Sequence, residues 1–331
     1  ANFSNNTGVF SLTKGDLFAR NSAGTNNYNF TVNNYAQTGS FFGGLSTTID
    51  FNGTFTINDG TFNATTGTTY FANAWTHTSG SGSFVHNNGS VEFDGANQII
   101  DSAGSETFYN LRSNGTANGI KTISAGDTIV VLNTLTLTEG GFATGNLEAR
   151  GNINATVTAD AFSSPLRING TVDQNFTMSA TSTFSGGITV DKNSGALNLL
   201  TSFTNNTNTF TLSKGSVNTQ NNAFTVSTFV QNGGTFTSGS SALDFNSAFT
   251  ITDGTFNASS ATTLYASSWT HTSGSGSFVH NNGSVEFDAG NQTIDSAGSE
   301  TFYNLRSNGN TSGVKTISAG DTIVVLNTLT L

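Results

Sequence analysis

The sequence predicts an all-β protein, wound as an elongated parallel β-solenoid (a β-helix) whose coils each take up roughly two dozen positions. Three observations lead there. The stretch GSGSFVHNNGSVEFD at 80–94 returns unchanged at 274–288, so the chain is internally duplicated. Its 28 phenylalanines punctuate a background of asparagine, threonine, serine and glycine, which a disordered linker has no reason to carry. Short alternating runs are separated by glycine and asparagine corners, and no apolar stripe of useful length recurs at helical spacing.

The duplication sets the organisation. FTVNNYAQTG (30–39) through TIVVLNTLTL (128–137) aligns with positions 224–331 at a constant offset of 194. FSNNTGVFSLTKG (3–15) matches FTNNTNTFTLSKG (203–215) at an offset of 200. The difference places a short insertion within LFARNSAGTNNY (17–28), expected as a local loop. The chain therefore reads as copy A (1–137), spacer B (138–200) and copy A′ (201–331), together one continuous rod.

Within copy A, segments start at Tyr35, Thr54, Trp75, Gln98 and Lys121, at intervals that run from about 19 to about 23 and so suggest coils of 19–25 in all. Each holds one or two alternating runs, such as TFTI (54–57), SVEFD (90–94) and TFYNL (107–111). In TIVVLNTLTL, alternation puts Ile129, Val131, Asn133, Leu135 and Leu137 on one face and Thr128, Val130, Leu132, Thr134 and Thr136 on the other. Corners NDG (58–60), NNG (87–89) and SAG (102–104) supply the positive φ that abrupt turns need. Immunoglobulin-like sandwiches would need longer cross-sheet connections and polar linkers, and neither is present. Stacked coils instead bring like residues together at ~4.8 Å, so some fourteen coils would span about 65–70 Å.

The expected core is a ladder of Phe84, Val91, Phe93, Phe108 and Leu111, repeated as Phe278, Val285, Phe287, Phe302 and Leu305. Ile100, Ile129, Val131, Leu135 and Leu137 join it, with their partners in copy A′. Asparagines at corners are placed to form amide ladders.

Composition narrows function. Ten basic residues lie scattered against twenty acidic ones, so there is no basic stripe for a phosphate backbone and nucleic acid is not an expected partner. Only 9% of residues are charged, far below the roughly 25% of ordinary soluble domains. Cysteine is absent, which removes disulfides and thiolate metal sites. No apolar run is long enough to offer a membrane span. Ala1 enters and Leu331 leaves within repeat sequence, so both ends are expected to continue, into more polypeptide or a neighbouring subunit.

GSFVHNNGSVEFD followed by NQTIDSAGSETFYNLRSNG (291–309) and KTISAGDTIVVLNTLTL (315–331) resembles repeats of large bacterial surface proteins. These are the β-strand-repeat, filamentous-haemagglutinin-like and autotransporter-passenger-like β-solenoids. The resemblance implies secretion and a role in adhesion, surface layers or filaments, and it carries no catalytic residues.

Candidate chemistry is sparse. The best acidic group is Glu92, Asp94, Asp101 and Glu106 with Arg112, repeated as Glu286, Asp288, Asp295, Glu300 and Arg306. Glycoside hydrolysis would need a carboxylate pair about 5–9 Å apart. Alternation turns Glu92 and Asp94 outward, which reads as solubilising acids. His77, His86, His271 and His280 lack an evident third ligand for zinc and read as corner or half-buried residues. Calcium nonapeptides do not occur, and T-x-T runs do not recur at the fixed place an ice-binding face would need. Asn-x-Ser/Thr triplets at Asn52, Asn63, Asn88, Asn257 and Asn282 are candidate N-glycosylation acceptors.

The expectation is thus a non-enzymatic extracellular fibre or surface-layer component without metal or cofactor, its partners copies of itself. A glycan-binding adhesin stalk and a polysaccharide-acting β-helix enzyme are the alternatives. Trp75, Trp269, Tyr109 and Tyr303 discriminate: in an exposed groove they favour glycans, and buried they favour structure.

Overall fold

The computed structural model describes residues 3–19, 29–44, 48–78, 80–116, 118–156, 162–180, 184–272, 275–309 and 312–331. The expected insertion loop falls largely on residues 20–28, outside the described residues. The chain forms two compact units, Ala1–Pro165 and Leu166–Leu331, whose boundary falls inside the segment 138–200. Each unit is a parallel β-solenoid, with no helix among the described residues.

Coils stack in register. In the first unit one inward column runs Phe10, Tyr35, Phe55, Trp75, Ile100 and Ile123. A second runs Val32, Phe51, Phe71, Phe93. Coil length varies: Leu135 pairs with Ile153, whereas Trp75 reaches its partner only at Ile100, a longer step along the chain. The second unit repeats these pairings with the same spacing, as in Phe229, Phe249, Trp269, Ile294 and Ile317. Like rings lie over like rings, Phe42 on Phe62 at 4.7 Å and Phe236 on Phe256 at 4.9 Å. Neighbouring columns meet edge to face, the other favoured aromatic geometry.

The corners follow from residue type. Asn87 and Asn88 have φ of 47° and 58°, and the Gly89 N–H returns to the His86 carbonyl at 2.9 Å. Two successive positive φ values closed by that bond define a type I′ turn, which asparagine tolerates better than most residues. Gly89 itself is required by proximity, since a Cβ there would lie 1.9 Å from the Thr65 carbonyl oxygen. At the SAG corner the Asp127 carboxylate, one coil on, accepts the N–H groups of Ser102 and Gly104 at 2.6 and 2.8 Å. Asp321 does the same for Ser296 and Gly298.

Phe84, Val91, Phe93, Ile100, Phe108, Leu111, Ile129, Val131, Leu135 and Leu137 are all buried. So are Phe278, Val285, Phe287, Ile294 and Phe302. Leu305, expected in the core, is only half-buried, as are Ile323 and Val325, while Leu329 and Leu331 are exposed. The cause is the missing neighbour on that side. In copy A, Ile129 and Val131 are covered by Leu147 and Ala149, and Leu135 and Leu137 by Ile153 and Ala155. Nothing in the described chain lies over the second set. Asn133 is a second correction: it points outward and is exposed. Pairing jumps from Phe108–Val131 to Asn110–Thr134, and this irregularity rotates Asn133 out of the inward face.

Buried lysines plug the coil corners. Lys121 is fully buried, paired across the sheet with Gln98, and its ammonium donates to the Gly95 and Ala96 carbonyls. Lys192 donates to the Gly170 and Val172 carbonyls and to Gln174 Oε1. Burial lowers each lysine from 10.5 to about 8. The sign follows directly. Between about pH 8 and 10.5 the unfolded chain holds more protons than the folded one, so these groups make stability rise with pH there. Lys121→Met should flatten that rise in the first unit. It should also destabilise at pH 7 by about 1–3 kcal/mol, through the two carbonyls left without a donor. Denaturant midpoints measured across pH 7–10 check both effects.

Candidate functional site

The structure splits the predicted acidic group into two clusters on the outer surface, and each recurs in the other copy. Column register makes the division. Asp50, Tyr70, Glu92, Arg112 and Thr136 stand one above the next, each on its own coil and pointing outward. Beside them runs Thr68, Ser90, Asn110, Thr134. Arg112 approaches Glu92 at 3.7 Å, and Asn114 donates to Glu92 at 2.6 Å. Asn133 donates to Asn110 at 2.7 Å, a two-rung amide ladder. The second column, with Glu92, Arg112 and Thr136 of the first, lines a groove of about 330 Å³. Its counterpart, about 420 Å³, carries Thr262, Ser284, Glu286, Asn304, Arg306 and Thr328.

Glu106 belongs to the other cluster. Its carboxylate meets His77 Nδ1 at 2.8 Å, as Glu300 meets His271 at 2.7 Å. His86 stacks on Tyr109 at 5.8 Å, and His280 on Tyr303 at the same distance. Asp101 accepts the Ala103 N–H within its own corner and joins neither cluster.

The reading of these acids as solubilising needs correction. Glu92, Glu106 and Glu300 are 7–8% exposed, covered by neighbouring coils and held by hydrogen bonds. Alternation gives the direction of a side chain and not what the next coil lays over it.

The Glu106 hydrogen bond raises the His77 pKa, against a smaller lowering from burial. A histidine raised in the folded state contributes stability that is complete below about pH 6.5 and lost as pH rises through the folded value. Glu106→Gln should remove this dependence, as measured by melting temperature between pH 5 and 8. Asp94 behaves in the same sense for another reason. Burial raises its pKa, the Asp50 charge adds to the rise, and Asp94 Oδ1 is buried without a hydrogen-bond partner. Its ionisation therefore costs stability as pH climbs through the raised value. Asp94→Asn should increase the melting temperature at pH 7, with the gain vanishing in acid.

Trp75 and Trp269 are fully buried, and Tyr109 and Tyr303 are half-buried against histidine. Of the glycosylation candidates, Asn52 and Asn282 are exposed and Asn88 lies on the NNG corner. Asn63 and Asn257 lie within strands and are half-buried, and Asn257 donates to the Phe236 carbonyl at 3.3 Å. Among the described residues no group of three or more histidines and acids is placed to hold a metal ion. The His–Glu pairs and the Tyr70 rung escaped sequence reasoning because His77 and Glu106 lie more than a full coil apart along the chain. Only the coil register brings them together. Comparison with known proteins finds no matching family model, no matching curated protein and no matching solved structure.

Proposed function

We propose that the chain is a stretch of an extracellular structural fibre or surface layer, of the kind its repeats resemble, which associates with copies of itself. The observation that carries this reading is where its aromatic residues go. Both tryptophans and most phenylalanines stack inside the coils, so their chemistry is spent on cohesion between coils. Antibody against the chain, applied to intact cells that make it and viewed by electron microscopy, should label fibres or a layer outside the envelope. Label confined to the cell interior refutes the reading.

The duplicated polar groove favours a second reading, an adhesin stalk that binds glycans along its outer face. Retention of the full chain on a glycan array, abolished by competing free sugar, tests it.

A further inference from the structure

We propose that the duplicated groove binds a neutral, extended β-1,4-linked oligosaccharide along the coil axis, more tightly in copy A than in copy A′. This rests on the glycan-binding reading and names the ligand and the residues.

Charge selects against acidic ligands. Among the described residues lining the groove in copy A, Arg112 is the one cation, and Glu92 already faces it. Asp50 and Asp94 lie close by, and their repulsion adds to the rise in the Asp94 pKa that burial begins. A uronate or phosphate would compete with Glu92 for the guanidinium while meeting those carboxylates. A sugar hydroxyl can accept from Arg112 or Asn110 and donate to Glu92 with no such conflict.

Spacing selects an extended chain. The rungs Thr68, Ser90, Asn110 and Thr134 come from four successive coils. At about 4.8 Å per coil they span about 14 Å. One coil rise is close to one sugar residue of an extended β-1,4-linked chain, so successive sugars meet successive rungs. The cavity, about 330 Å³, falls in the range of small-ligand sites.

Tyr70 separates the copies. It points outward, half-buried, beside the lining residues Thr68 and Glu92, where an aromatic ring can pack on the C–H side of a sugar seated in the groove. The equivalent residue is Leu264, across from Glu286, while the glutamate, arginine, asparagine and threonine rungs are unchanged.

Isothermal titration of the full chain with the β-1,4-linked glucose hexamer tests this, against the α-1,4-linked galacturonate hexamer as the acidic comparator. Two sites of unequal affinity for the glucose hexamer are expected, with weaker or no binding of the galacturonate. Tyr70→Leu should weaken the tighter site about tenfold, and Leu264→Tyr should strengthen the weaker one by a similar factor. Both substitutions lie on the outer face, so the gain from Leu264→Tyr cannot arise from misfolding. Tighter binding of the galacturonate overturns the proposal. Glucose-hexamer binding that neither substitution changes overturns the site and leaves the glycan-binding reading standing. If neither hexamer binds and a glycan array is also blank, both fall.

Discussion

Replacing Phe93 with alanine is expected to cost the first unit about 3–5 kcal/mol, the loss of a buried aromatic plus the cavity it leaves. Phe93 has no exposed surface, stacks on Phe71 at 5.6 Å and meets Phe108 edge-on at 6.0 Å. Coils above and below are pinned by continuous strand pairing at Val91–Leu111 and Phe71–Phe93, so they have little freedom to collapse into the gap. Denaturant unfolding followed by the fluorescence of buried Trp75 gives the number. A cost under about 1 kcal/mol would mean that the side chain does not occupy the core. Phe287→Ala is the internal comparison. Phe287 stacks on Tyr265 at 5.6 Å, yet it also lines a cavity of about 340 Å³ with half-buried Leu305 and exposed Leu329. The second substitution should cost less than the first.

Gly89→Ala is expected to destabilise by about 2–3 kcal/mol although it adds one methyl group. The new Cβ would stand 1.9 Å from the Thr65 carbonyl oxygen and 2.9 Å from that of Gly67. Both obstacles are backbone, so no side chain can swing aside. Gly67 also accepts the Ser90 N–H at 2.8 Å, and any retreat lengthens that bond. Gly283 has the same surroundings, 1.9 Å from the Ser259 carbonyl oxygen, and Gly283→Ala should act alike in the second unit. Thermal unfolding with amide exchange at Ser90 and Ser284 measures the effect. Unchanged exchange at both positions would show that the corner yields.

Fold class and coil spacing were legible because parallel stacking repeats a local pattern that composition preserves. Segment starts Tyr35 and Trp75 lie two coils apart in the same column, and Gln98 and Lys121 are direct cross-strand partners. Inward positions such as Phe93 and Leu111 follow from alternation alone. Alternation fails at Asn133, where the pairing register slips and the side chain turns out. It fails again at Leu305, whose burial depends on a coil outside its own segment. The outer clusters were the least legible. That Tyr70 stands over Glu92 and His77 beside Glu106 depends on how much chain each corner consumes. Corner length varies from coil to coil.

The identity of the two long repeated stretches creates a choice during folding. The strand Thr68–Phe71 presents the same edge to Ser90–Phe93, its native partner, as to Ser284–Phe287, whose sequence is identical. Side-chain chemistry cannot tell them apart, so chain connectivity must. Closing a loop of about 22 residues instead of about 216 is favoured by roughly 2 kcal/mol, a bias of about thirtyfold. A few per cent of refolding molecules should therefore start with the wrong copy and clear that error slowly. Between separate molecules the bias weakens as concentration rises. Pairing between chains then competes with pairing inside one chain.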